Sequence, residues 1–186
     1  MTHGPAEAPL TWNVGGLLAE DPGASREFDV DGIELPLDDG LRLAEPLAGH
    51  VRLRRTNRGI LADARLGAAL AAECARCLRP IRIPVDITIE EEFLPALDMA
   101  SGAPLPTADE PDVARLTDHH EVELEPLVRD ELLLAEPIAP VCRPDCPGLC
   151  VACGSPLDEG VHDHEVDEID PRLEALRGFR VDDPPD

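Results

Sequence analysis

The chain has 186 residues, enough for one domain with a modest core, and carries a formal charge of −23 from 39 acids against 16 bases. Such acidity repels phosphate backbones, so broad electrostatic binding of nucleic acid is disfavoured and a basic protein partner is easier to accommodate. One Trp, three Phe and no Tyr leave few platforms for base stacking, and no P-loop, dinucleotide fingerprint, nucleophile elbow or His-Glu-x-x-His motif is present.

Residues 1–24 read as an N-terminal extension, in which TWNVGGLL is a short ordered segment and EDPGAS is turn material. The first thirty residues lack the basic region and apolar run of a signal peptide, and later apolar runs are too short to span a bilayer. The expectation is a cytoplasmic protein without a membrane partner. REFDVDG, with Phe28 and Val30, reads as a short strand and turn. GHVRLRR alternates Val51 and Leu53 with Arg52 and Arg54, TNRG is a turn, and ILADARL places Ile60, Ala62, Ala64 and Leu66 on one face. PIRIPVDITIEEEF sets Ile81, Ile83, Val85, Ile87 and Ile89 opposite Arg82, Asp86, Thr88 and Glu90, and Pro84 marks an edge strand or a bulge. The last three runs predict an antiparallel meander.

Residues 95–120 are polar and rich in Pro and Ala, and read as a long flexible loop. ELEPLVRDELLLAEP then predicts a helix that covers the meander. Pro126 suits its first turn, Leu127, Val128, Leu132 and Ala135 share a face, and Pro137 stops it at Glu136. Near the end, DPRLEALRGF predicts a short helix from about Pro171, and residues 181–186 a frayed tail. The expected fold is α+β: mainly an antiparallel β meander with a covering helix and a zinc-binding C-terminal segment, in a single domain over 25–180.

Charge is unevenly distributed. Residues 42–82 hold nine Arg and three acids, whereas the segments on either side are strongly acidic. Arg52, Arg54, Arg55, Arg58, Arg76, Arg79 and Arg82 form an island that could grip a local phosphate run or an acidic patch. The plainer reading is a solvated sheet face neutralised by acidic neighbours.

The six cysteines carry the chemistry. In a reducing compartment an even count reads as metal ligands before disulfides. Cys74-x2-Cys77 lies between two predicted strands, Cys142-x3-Cys146 and Cys150-x2-Cys153-Gly154 follow the helix, and His162 and His164 add two imidazoles. Those eight donors suffice for one or two structural Zn2+ ions, each held by four ligands. One partition puts Cys74, Cys77, Cys142 and Cys146 on one ion and Cys150, Cys153, His162 and His164 on another. A second joins Cys142, Cys146, Cys150 and Cys153; a third pairs Cys74 and Cys77 with Cys150 and Cys153 as a zinc ribbon. The first is preferred because it leaves no cysteine pair unused. Thioredoxin-like chemistry wants a helix after the C-x2-C, and Pro80 and Pro84 oppose one. The histidines also have a bland reading as solvated side chains in an acidic tail, and His119 and His120 are given no role. No catalytic residue emerges, and the expectation is a protein that is not an enzyme.

In order and spacing, ECARCLRP, the helix and CRPDCPGLCVACGSPLD resemble the YceD family, the large-ribosomal-RNA accumulation proteins of bacteria and plastids, over roughly residues 25–180. Cys74, Arg76, Cys77, Leu78, Cys142, Cys146, Gly148, Leu149, Cys150, Cys153 and Gly154 fit its C-x-R-C-L and C-x3-C-x-G-L-C-x2-C-G pattern. Many members close with C-x-C where this chain has His162-Asp163-His164. The resemblance implies a non-enzymatic role in synthesis, processing or stability of large-subunit (23S) rRNA, acting in ribosome assembly through a basic ribosomal protein, the rRNA, or both. The alternatives are a zinc-stabilised protein-interaction module unrelated to ribosomes, or a thiol redox protein.

Overall fold

Alternation of apolar and polar residues in GHVRLRR, ILADARL and PIRIPVDITIEEEF builds the centre of the molecule. In the computed structural model, which describes residues 10–37, 40–98, 101–105, 113–164, 171–176 and 178, these residues form three long strands. They are β3 (Arg42–Arg55), β4 (Ile60–Glu73) and β5 (Pro80–Phe93), joined to β2 (Ser25–Ile33) in a four-stranded antiparallel sheet of order β2-β3-β4-β5. The expected meander is therefore present, with REFDVDG as its fourth strand. β5 has the predicted bounds and lies at an edge, where the missing N–H of Pro84 costs no ladder bond on the open side.

β3 and β4 run longer than their alternation foretells. β3 starts at Arg42 and absorbs register shifts between Leu43 and Glu45 and between Glu45 and Ala48. β4 continues through LGAALAA, where strict alternation lapses but pairing with β5 does not. Gly49 sits where a Cβ would lie 2.1 Å from the Arg65 carbonyl oxygen, so only glycine lets β3 and β4 approach there.

The inner face is apolar: Val51, Leu53, Ile60, Ala62 and Ala64 are fully buried. Helix α2 (Glu125–Ala135) packs against β5 and adds Val128 and Leu132 to the same core. It begins with Pro at its first turn, and Glu136, next to Pro137, is extended (ψ 120°) and ends it. A second sheet pairs β1 (Thr11–Asn13) with β6 (Glu121–Glu123) in antiparallel register, and a single-turn helix α1 (Gly15–Leu18) follows β1. The segment set apart by sequence as an extension thus contributes Leu10, Val14, Leu17 and Leu18 to the common core.

Within the predicted long loop, the described residues form bridges between Leu94 and Arg115 and between Leu97 and Pro104, and Leu116 is buried. Residues 99–100 and 106–112 of that loop, and the expected tail 181–186, lie outside the described residues. The short C-terminal helix is a 3-10 helix over Pro171–Leu176. No helix among the described residues is long and apolar enough to cross a membrane.

The outer face of the sheet explains the charge pattern. Cross-strand register lines up Glu27, Arg52, Asp63 and Glu90 in one row and Asp29, His50, Arg65 and Thr88 in the next. Arg52 Nε donates to Glu27 at 2.8 Å, and Arg82 reaches Glu45 at 2.7 Å. The arginine island of the sequence is thus interleaved with carboxylates in space. Exposed pairs of this kind each add at most about 1 kcal/mol, so they set solubility and register more than stability.

Candidate metal centres

The β4–β5 hairpin closes through Cys74-Ala75-Arg76-Cys77-Leu78. The Leu78 N–H donates to the Cys74 carbonyl at 2.9 Å, and the Cys74 N–H to the Arg79 carbonyl at 2.8 Å. This tight knuckle points both sulfurs to one side. After α2 the extended linker returns along the same end of the sheet, where the Ala75 N–H donates to the Pro140 carbonyl at 2.7 Å. Cys142 and Cys146 are thereby delivered to the knuckle. Cys74 and Cys146 sulfurs lie 3.8 Å apart and those of Cys77 and Cys142 3.7 Å apart.

These separations exclude disulfides and suit a tetrahedral metal site. A disulfide needs about 2.05 Å. Four thiolates at about 2.3 Å from a tetrahedral ion are about 3.8 Å from one another, which is the observed spacing. Cys74, Cys77 and Cys146 are buried and Cys142 is exposed. The Cys77 N–H foremost, then those of Cys142 and Arg76, hold the Cys74 thiol down at about 6 against burial. The nearby Cys146 sulfur and burial push Cys142 up to about 12. Cys77 is raised as well: the Arg79 N–H draws it down, but burial and the Cys74 and Cys146 sulfurs outweigh that. Clustered sulfurs resist becoming anions together unless a cation joins them.

The second group repeats the knuckle. In Cys150-Val151-Ala152-Cys153-Gly154, the Gly154 N–H donates to the Cys150 carbonyl at 2.8 Å and the Cys150 N–H to the Ser155 carbonyl at 2.8 Å. Cys153 Sγ lies 3.6 Å from His162 Nδ1. A sulfur at about 2.3 Å and a nitrogen at about 2.05 Å from a tetrahedral ion would be about 3.6 Å apart. His162 Nε2 is 3.0 Å from the Pro156 carbonyl, which can only accept; Nε2 therefore carries the proton and Nδ1 keeps its lone pair for a metal. The Ser155 N–H foremost, then the Ser155 hydroxyl, His162 and His164, bring Cys153 down to about 6. Cys153 in turn raises His162.

Each group places four donor atoms within 4.8 Å of one another: Cys74, Cys77, Cys142 and Cys146 in one, Cys150, Cys153, His162 and His164 in the other. Both could hold a metal ion. Among the described residues no donor group corresponds to the single four-cysteine cluster or to the ribbon pairing of Cys74 and Cys77 with Cys150 and Cys153.

A clamp that the sequence did not reveal ties the groups together. Asp158 receives both Arg79 and Arg143, with Arg79 Nη1 at 2.9 Å and Arg143 Nη2 at 3.0 Å, and Arg79 also reaches Glu159 at 2.8 Å. Arg79 foremost, then Arg143, holds the Asp158 carboxyl below its usual range. Arg76 donates to the Cys146 carbonyl at 2.9 Å and pins the 143–146 turn. The seven arginines singled out by sequence therefore divide. Arg76 and Arg79 serve this region, and Arg55 turns to the carbonyls of Leu18 and Gly59. Arg52, Arg58 and Arg82 face Glu27, Glu92 and Glu45, and Arg54 is exposed on the outer sheet face. Asp158 and Arg143 were missed because nothing local joins residues 79 and 158.

The fold and the two donor groups define a small α+β domain with one cysteine knuckle in the β4–β5 hairpin and a second in the C-terminal segment, which also supplies Cys142 and Cys146 to the first. Residues 62–180 match the family described as "Large ribosomal RNA subunit accumulation protein YceD", and the chain belongs to that family. It is 36% identical over 185 residues to uncharacterized proteins of Mycobacterium bovis and Mycobacterium tuberculosis, covering 94% of this chain and 85% of theirs. An uncharacterized Mycobacterium leprae protein is 30% identical over 155 residues, 83% of this chain and 67% of that one. No solved structure matches. The family description supports a ribosome-related role connected with large-subunit rRNA.

Proposed function

We propose that this chain is a non-enzymatic, zinc-stapled factor of the cytoplasm that supports accumulation of 23S rRNA by holding a basic ribosomal protein during large-subunit assembly. The observation that carries the reading is the completeness of the two donor groups. Each supplies four protein ligands, which leaves no position on a tetrahedral ion for water or substrate, the mark of a structural rather than a catalytic zinc. Zinc, with no redox chemistry and no geometric demand beyond four soft or borderline donors, suits both the four-sulfur and the two-sulfur, two-imidazole set.

The partner follows from charge. With −23 overall and the sheet arginines facing carboxylates, the surface favours a cationic polypeptide over a phosphate backbone. Two measurements test this. Metal analysis of untagged protein should give two zinc ions per chain; a value near zero refutes the staple. Affinity capture from growing cells should recover a basic large-subunit protein after ribonuclease treatment. Tight binding of naked 23S rRNA with a steep salt dependence would refute the proposed partner and make RNA the target.

A further inference from the structure

The two knuckles invite comparison residue by residue. They share the same two backbone hydrogen bonds, from the fifth residue to the first carbonyl and from the first N–H to the sixth carbonyl. Both need a left-handed residue after the second cysteine. Gly154 fills that place in the second knuckle with φ +72°, and Leu78 fills it in the first with φ +59°. Glycine adopts this conformation freely; a leucine is strained there. Leu10 also has positive φ, but its side chain is buried in the core. The Leu78 side chain is 58% exposed, so burial within the chain does not offset its backbone cost.

Leu78 does not stand alone. It lines a groove of about 690 Å³ between the end of β4 and the linker after α2, whose other wall carries Ile138, fully exposed. Alanines and prolines, among them Ala72, Ala75, Pro80 and Pro140, floor the groove. Leu134, on the last turn of α2, is a further exposed apolar side chain, 79% exposed. The charged residues lining the groove are Glu73, Glu136 and Arg42, a net negative border on a strongly negative molecule. A second copy of this chain would bring another −23 to the contact, which opposes self-association.

We infer that the Leu78–Ile138 groove is the docking site for a lysine- or arginine-rich protein segment that inserts an aliphatic side chain between them. Local strain at Leu78 is kept because the leucine is an anchor for that segment, not because the knuckle requires it. The inference rests on the partner class proposed above and assigns its site.

The zinc-loaded full chain tests it, with proteins extracted from purified large ribosomal subunits as the probe and a photo-crosslinking amino acid at position 138 or, as a control, 54. Wild type should retain a basic protein and crosslink to it from 138 and not from 54. Leu78→Gly, which relieves the backbone, should keep zinc content and melt no lower than wild type, yet weaken binding at least tenfold. Equal binding by Leu78→Gly, or crosslinking from 54 instead of 138, overturns the docking site while leaving the partner class standing. A lower melting temperature or lost zinc in Leu78→Gly shows Leu78 to be structural and also overturns it. Retention of no ribosomal protein by wild type overturns the partner class and the site with it. Self-association that disappears in Leu78→Gly identifies a second copy as the occupant and overturns the basic segment.

Discussion

Removing metal should unfold the C-terminal segment and leave the sheet intact. The buried side chains form two separate clusters. The main core joins the strands, α1 and α2, whereas the second consists of Cys74, Cys77 and Cys146 with Ile81 and Leu149 packed on it. Beyond that cluster the segment has little to bury, and Val141, Val151, Leu157 and Val161 are exposed. Even at about 2 kcal/mol each, these five side chains, three of them cysteines and two only partly buried, supply at most about 10 kcal/mol. Ordering costs about 1.5 kcal/mol per residue, so that burial can fix only about seven residues. Residues 139–164 are nearly four times as many, and the proposed structural zinc, worth about 10–16 kcal/mol per ion, would supply the difference. Amide hydrogen exchange of chelated, reduced protein checks this. Amides of 139–164 should exchange nearly as fast as in an unfolded chain, those of β3, β4 and β5 should stay protected, and two equivalents of zinc should restore the rest. Protection of 139–164 without metal would refute the staple, and loss of the sheet along with it would refute the separation of the two cores.

Three further outcomes follow from single features. His162→Ala should lower zinc from two ions to one per chain by mass spectrometry, while the double variant His162→Cys, His164→Cys should keep two, since thiolates are competent ligands at both places. Acidification should release metal between about pH 6 and 4, read with a chromogenic zinc indicator. The sign follows from the ligands: zinc takes thiolates and neutral imidazoles, so protons compete with it as pH falls. Of the thiols, Cys74 and Cys153 are lowered to about 6 and stay thiolate furthest into acid, whereas Cys77 and Cys142 are raised and depend on the ion for their charge. Retention of both ions at pH 4 would contradict this. Leu132→Ala, at a fully buried position of α2, should destabilise the sheet core by about 2–5 kcal/mol in urea denaturation without changing zinc content.

How legible the fold was depended on whether a residue's neighbours in space were also its neighbours in sequence. β5 could be read to its ends because ten residues alternate without a break and Pro84 betrays an edge. β4 could be read only to Leu66, because LGAALAA replaces alternation with small apolar residues whose conformation is set by pairing with β5. β1 and β6 are three residues each, too short for any period, and exist because Trp12 and Val122 pair across more than a hundred positions. The α2 boundaries were legible because proline chemistry acts on the adjacent residue alone.

The donor groups show the same limit at the level of chemistry. Spacing reveals pairs, since C-x2-C closes its own turn, but which pairs share an ion is a matter of topology. Here the hairpin places Cys74 and Cys77 at one end of the sheet, and α2, packed on β5, returns the linker to that end. Cys142 and Cys146 arrive first and occupy the knuckle. Then Leu149 bridges to Pro156, and the Leu157 N–H donates to the Gly148 carbonyl at 2.9 Å, so Cys150 and Cys153 close on the residues that follow them. A chain with the same cysteines but a helix one or two turns longer would bring its linker back elsewhere, and the pairs would be free to combine differently. The division of the cysteines is therefore a consequence of the length of α2 and of its stop at Pro137 as much as of the cysteine spacing.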